Sequence, residues 1–277
     1  MIVSAAVVAL VLIAIGIALV ATGDADEPGQ GELAASPTAS PQALVPQPPA
    51  TPSGLEARAE PFAVELLWSA DTTAGPVEGF TIYRNGNEIG TVAGVVSGRF
   101  VDDEALPLVR YEYAVAAFGQ DAIASEPAEV RVRTPAAPLS DARLEGTFDV
   151  KLREVSTFGY TTSGGDSTGG WTFTPRCARG SCDVKVAQVF RGSRSVTMER
   201  RSARYGARGS GQLGVRCGGT ASTSRFTIDV EVTKAKTVDG AWHAVAIAGT
   251  FTHREAAQLG CVAGGADLEL AGRLVDL

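Results

Sequence analysis

From Ile2 to Ala21 the chain reads IVSAAVVALVLIAIGIALVA, with no charged side chain. About 20 apolar residues in a helix cross a hydrocarbon core of roughly 30 Å. Lipid offers no water to backbone amides, so a segment of this kind must satisfy its own hydrogen bonds and be helical. Residues 1–22 are therefore expected to form a transmembrane anchor that leaves the rest of the chain on one side of a membrane. A cleaved leader is the alternative, with Ala21-Thr22-Gly23 as its small-residue cut site. Signal cores, however, run only about 7–15 residues and follow a basic start, and Met1-Ile2 carries no charge. Orientation is read from the far end. All four cysteines, Cys177, Cys182, Cys217 and Cys261, fall in the last part of the chain and suit an oxidising exterior. The expectation is a single-pass protein of the cell membrane with its C-terminal domains extracytoplasmic.

Residues 23–52 hold seven of the fourteen prolines, among Ala, Ser, Gln and Thr. Such a stretch cannot bury enough apolar surface to offset its ordering entropy. Proline biases it toward an extended helix rising about 3.1 Å per residue, so it could span roughly 90 Å. A disordered tether is expected. Beyond it the net charge of −7 conceals an asymmetry: residues 1–139 carry 17 acidic and 6 basic side chains, residues 140–277 carry 14 and 18. The two parts present fields of opposite sign to any partner.

Past the tether the apolar period becomes two. Val64, Leu66 and Trp68 alternate with Glu65 and Leu67, the pattern of a half-buried strand. Phe80–Arg84 is a second strand and runs into Asn85-Gly86, a strong hairpin signal because both central residues of a type I′ turn need positive φ. Glu88–Val92 is the returning partner. Tyr111, Tyr113, Val115 and Ala117 share one face, and Val130 and Val132 lie in a last strand before Thr134-Pro135. Short strands at this spacing suggest a sandwich over residues 53–134.

Pro52-Ser53-Gly54-Leu55, Leu66-x-Trp68, IYRNG at 82–86, Phe100-x-Asp102, and Leu106-Pro107 ahead of Tyr111-x-Tyr113-x-Val115-x-Ala117 together resemble a bacterial fibronectin type III module. The resemblance implies a seven-stranded sandwich with Trp68 in its core and Tyr111 as a corner tyrosine bonded back to backbone. It implies a spacer or adhesive surface and no catalytic residues.

Residues 138–277 alternate again, over Leu144–Leu152, Trp171–Phe173, Cys182–Phe190, Val196–Arg200, Leu213–Cys217, Phe226–Lys234, Trp242–Thr252 and Leu268–Val275. The pattern predicts an antiparallel meander of about eight strands, closed as a barrel or folded as a sandwich to hide its edges. The fold class expected for the whole chain is thus all-β behind an N-terminal transmembrane helix. Leu144-x-Gly146-Thr147-Phe148 and Ala248-Gly249-Thr250-Phe251 resemble strand openings of lipocalin-like barrels. Trp171-x-Phe173-x-Pro175-x-Cys177 resembles uncharacterised actinobacterial envelope proteins, and no activity follows from that likeness. Four cysteines allow three pairings. Cys177 and Cys182 flank a plausible hairpin tip, ARGS, which would leave Cys217 for Cys261. The gaps between the cysteines are unlike the paired knuckles of zinc sites.

No stretch predicts an enzyme. Gly165-Asp166-Ser167-Thr168-Gly169 fits G-x-S-x-G, but a nucleophile elbow needs a strand-to-helix turn, and the flanking Gly and Ser residues point to a loop. The only bases for Ser167 would be His243 and His253, the two histidines of the chain. Gly209–Gly214 fits G-x-G-x-x-G without the helix that a dinucleotide site requires, so no cofactor is expected. A pair of glycosidase carboxylates facing across a cleft cannot be read from strand spacing. The distinctive feature is arginine: Arg191, Arg194, Arg200, Arg201, Arg204 and Arg208 share a span with one acid, Glu199. Guanidinium forks suit phosphate and carboxylate, which points to an anionic cell-wall polymer or an acidic protein as partner. Nucleic acid is not expected, because aromatics do not interleave with the arginines. The overall expectation is an envelope binding or adhesion protein; a small-ligand carrier and a polysaccharide-active protein are the alternatives.

Overall fold

The computed structural model describes residues 47–277 except 74, 95, 161–163, 188–194, 218–219 and 258–261, and gives backbone alone for 121, 212–217 and 220–222. The expected anchor and most of the expected tether lie outside the described residues. Among those described, no helix is long and apolar enough to cross a membrane. Helical structure there amounts to two 3-10 turns, Gln120–Ala122 and Leu139–Asp141. The protein is all-β and antiparallel.

Seven strands come first: β1 (Ser53–Glu60), β2 (Ala63–Ser69), β3 (Gly79–Arg84), β4 (Asn87–Ala93), β5 (Ser97–Asp102), β6 (Arg110–Phe118) and β7 (Ala128–Arg133). They form a three-stranded sheet in the order β1-β2-β5 and a four-stranded sheet in the order β4-β3-β6-β7. The alternation explains the packing. Val64, Leu66 and Trp68 from one sheet meet Phe80, Ile82, Tyr113 and Val115 from the other in one buried core. Trp68 stacks edge-on against Phe80 at 5.3 Å between centroids. It lies flat over Gly98, where any Cβ would sit 2.0 Å from the indole. Asn85 and Gly86 have φ of 51° and 81°, both positive as the turn requires. The Leu106 amide donates to the Tyr111 hydroxyl at 2.8 Å. Seven strands is an odd number, so the chain enters at one pole of the sandwich, beside buried Pro49, and leaves at the other.

Eight further strands follow: β8 (Gly146–Phe158), β9 (Ser167–Pro175), β10 (Val184–Ala187), β11 (Val196–Arg201), β12 (Arg204–Cys217), β13 (Thr220–Val238), β14 (Ala241–Glu255) and β15 (Gly264–Asp276). They close into a barrel in the order β10-β11-β12-β13-β14-β15-β8-β9. Closure removes every free edge, which settles the choice between barrel and sandwich. Several strands are longer than their sequence pattern. Leu213–Cys217 is the end of a strand that begins at Arg204, because Arg204–Gln212 pairs continuously with β13 although its glycines and arginines have little β-propensity. Gly209 has a role there: a Cβ would meet the Phe226 ring at 2.6 Å.

The barrel has a base and a mouth. Phe148, Phe173, Trp171, Met198, Tyr205, Ile228 and Trp242 are among the buried side chains that fill its interior. The segment after the sandwich plugs the base, with Ala142 and Leu144 each 1% exposed. Arg143 donates its amide to Trp242 and accepts from the Ala244 amide, both at strand distances, and the Trp242 indole donates to the Pro138 carbonyl at 3.2 Å. Thr237 donates to the Pro107 carbonyl of the sandwich at 2.7 Å. The base therefore adjoins the exit pole of the sandwich, and the mouth opens at the far end of the barrel.

Cys177 and Cys182 are joined by a disulfide across the β9–β10 loop at the base. Cys261 and the side chain of Cys217 lie outside the described residues. Arg143 donates to the carbonyls of Cys177 and Gly180, tying that loop to the plug. A Cys177→Ser, Cys182→Ser double variant is expected to lose about 2 kcal/mol, the loop-closure value for so short a ring; urea unfolding of the oxidised chain against the variant measures it.

Candidate functional site

The expected arginine face is not one surface. Arg191 and Arg194 lie outside the described residues. Arg200 turns inward at the base, where its guanidinium donates to the Ser140 carbonyl at 2.6 Å and its amide to Asp183 at 2.8 Å. Arg204 pairs with Glu231 at 3.0 Å, and Arg201 reaches Glu199 at 3.7 Å. Arg208 is exposed on the outer wall. Arg201 pairs directly with Arg204, so Arg201, Arg204 and Arg208 share the outer wall, and Arg200, which alternates with Arg201, is the described member that leaves it.

Ser167 opens β9, is exposed, and leads into strand rather than helix, so the elbow pattern has no elbow. Gly209–Gly214 lies inside β12. Among the described residues no group of three His, Cys, Asp or Glu side chains could hold a metal ion.

The barrel instead gathers polar groups near its mouth that lie far apart in sequence. Direct cross-strand pairs share one face of a sheet, so Ser224 opposite Glu255 and Phe226 opposite His253 face the interior with Ile228 and Phe251. Ser224 is 0% exposed and Glu255 8%. The Ser224 hydroxyl donates to the Glu255 carboxylate at 2.7 Å. His253 Nδ1 lies 3.8 Å from the same carboxylate, is buried, and has no hydrogen-bond partner. Tyr160 folds in from the β8–β9 loop and occupies the space above Gly264, where a Cβ would meet its ring at 2.9 Å. Its hydroxyl is buried without a regular hydrogen bond, and burial together with the facing Glu255 raises its pKa above the ordinary phenol value. The rings of Tyr160, His253 and Phe251 form a tilted row, with centroids 6.2 Å and 6.1 Å apart.

Space adjoins this group. Gly211 stands opposite Ser224, is buried, and a Cβ there would find no heavy atom within 4 Å. Sequence reading noted His253 only as a base for Ser167 and passed over Ser224, Glu255 and Tyr160. The one available signal was the run of odd positions Phe251, His253 and Glu255, a strand face that turns from apolar to polar at its end.

Both histidines are held below the ordinary imidazole value. Burial is the main cause for each; at His253, Arg254 adds to it while Glu255, Asp267 and Glu154 oppose it, and at His243, Arg143 adds while Glu145 and Asp239 oppose. The unfolded chain thus takes up their protons first as pH falls. Stability from this source is complete above about pH 7.5 and declines as pH drops through about 6.5 toward the lowered folded values. The slope is up to about 1.4 kcal/mol per pH unit per histidine. Urea midpoints at pH 8 and pH 5.5 should differ in that direction, and a His243→Asn, His253→Asn variant should narrow the difference.

No protein-family model matches the chain, and no curated protein matches it. A solved structure that does is a Yersinia enterocolitica family 28 exopolygalacturonase, 15% identical, with a TM-score of 0.26. The match covers 35% of this chain and spans 21% of the length of that one.

Proposed function

We propose that the chain is a membrane-anchored, extracytoplasmic binding protein in which the sandwich is a fibronectin type III spacer and the barrel mouth is the recognition site. The observation that carries this reading is the Ser224–His253–Glu255–Tyr160 group, in which Ser224 and Glu255 are buried and His253 and Tyr160 half-buried, with open space beside it, at the end of the barrel away from the sandwich. Buried polar atoms are nearly always satisfied within a fold, and the His253 Nδ1 has no hydrogen-bond partner among the described residues. The strand orders β1-β2-β5 and β4-β3-β6-β7, the Trp68 core and the Leu106–Tyr111 hydrogen bond support the fibronectin type III reading.

Binding is favoured over catalysis. Ser224 donates to Glu255 and not to His253, so the group is not arranged as a serine–histidine pair. A deep apolar carrier is disfavoured by the side chains that fill the lower barrel. A second contact with anionic wall polymer rests on Arg208 and Arg225, which are exposed on adjacent strands β12 and β13.

One experiment separates the two surfaces. Full-length protein is passed over purified cell-wall material, alongside Gly211→Phe, which fills the mouth, and Arg208→Ser with Arg225→Ser, which discharges the wall. Loss of retention in Gly211→Phe alone, with an unchanged unfolding profile, is the expected result. Retention equal to that of the unsubstituted chain removes the mouth as the site.

A further inference from the structure

Among the described residues, no Lys or Arg pairs with the buried Glu255 carboxylate at the mouth. Glu255 accepts one regular hydrogen bond, from the uncharged Ser224. The adjacent Arg254 points outward to Asp267 and the Ala266 carbonyl. His253, the nearest nitrogen, is kept neutral by burial. An ionised carboxylate out of water without a counter-charge is strongly disfavoured, and folding alone gives no reason to place one there. Around it stand the faces of Tyr160, His253 and Phe251, and beside it the space over Gly211. Aromatic faces and carboxylates share one preference: both attract a cation.

We infer that the barrel mouth binds a ligand through a positively charged amino group, which sits against the Glu255 carboxylate among the rings of Tyr160 and Phe251. This rests on the mouth being the recognition site and names the chemistry it recognises. The ammonium supplies the missing counter-charge, its N–H groups donate to Glu255 and to the Tyr160 oxygen, and its carbon stem occupies the space at Gly211. A neutral polyol of the same size offers hydrogen bonds without balancing the charge, so it binds more weakly.

The test is thermal unfolding of the full-length chain with n-butylammonium chloride, with butan-1-ol as the neutral counterpart and sodium chloride as the salt control. The expected result is a rise in unfolding temperature with the ammonium alone. Glu255→Gln keeps the acceptor for Ser224 and removes the charge. It should raise the unfolding temperature of the ligand-free protein and weaken the ammonium response at least tenfold, while Glu255→Asp keeps part of that response. A structural Glu255 gives the opposite pattern: Glu255→Gln unfolds at lower temperature and the ammonium has no effect on the unsubstituted chain. That result overturns the inference. An equal response to butan-1-ol overturns the ammonium assignment and leaves the mouth as a binding site. His253 imidazole resonances unmoved by either compound, together with wall retention unaffected by Gly211→Phe, overturn the site as well.

Discussion

Asp102→Ala is expected to destabilise the sandwich by about 3–5 kcal/mol, the usual cost of breaking a buried ion pair from one side. Asp102 is 4% exposed and closes β5 at the exit pole. Arg84 donates to both its carboxylate oxygens at 2.8 Å, the Tyr113 hydroxyl donates at 2.6 Å and the Glu104 amide at 3.1 Å. Removing the carboxylate strands the half-buried Arg84 guanidinium and the fully buried Tyr113 hydroxyl together. Burial works against the charge of Arg84, and the bonds and attraction to Asp102 outweigh it. Asp102→Asn retains some of these bonds and should lose less. Equilibrium urea unfolding measures both, and equal losses for the two substitutions would show that charge, not shape, matters at this position.

Phe173→Ala is expected to cost the barrel about 3–5 kcal/mol, the range for deleting a fully buried aromatic ring. Phe173 is 1% exposed, stands edge-on to Phe148 at 5.3 Å, and adjoins Trp171 at 6.4 Å. It comes from β9, which pairs with β8 on one side and with the short β10 on the other. A cavity there loosens the wall at the strand with fewest pairing residues beside it. The sandwich and barrel cores share no residue, so the losses from Asp102→Ala and Phe173→Ala should add within about 0.5 kcal/mol in the double variant. A clear departure from additivity would show that the junction through Thr237 and Pro107 couples the two cores.

Local pattern revealed a good part of the architecture. The alternation of Val64, Leu66 and Trp68, and the Asn85-Gly86 turn, depend only on neighbouring residues, and the structure follows them. The eight strand signals of residues 138–277 are likewise local, and all eight strands are present. Their lengths were not legible, because Arg204–Gln212 becomes strand through its pairing with β13 and not through its own residues. The arginine span misled for a related reason. A run of guanidinium groups is divided by strand alternation: Arg200, opposite the buried Tyr205, serves the base, while Arg201, Arg204 and Arg208 stay on the outer wall.

The polar group at the mouth was the least legible feature. Ser224, His253 and Glu255 are ordinary strand residues, and Tyr160 sits in a loop. What makes them unusual is that β13 and β14 set Ser224 and Phe226 opposite Glu255 and His253, which buries Glu255 to 8% exposure.

By itself, then, the sequence determined the all-β class, the division into two β regions, and the eight strands of the second, since apolar period and turn chemistry act over a few residues. Only the tertiary structure decided that the second region closes into a barrel, that its base is plugged while its mouth gathers Ser224, His253, Glu255 and Tyr160, and which arginines remain exposed. Those outcomes depend on strand register, which brings together side chains separated by tens of residues and sets the burial of each.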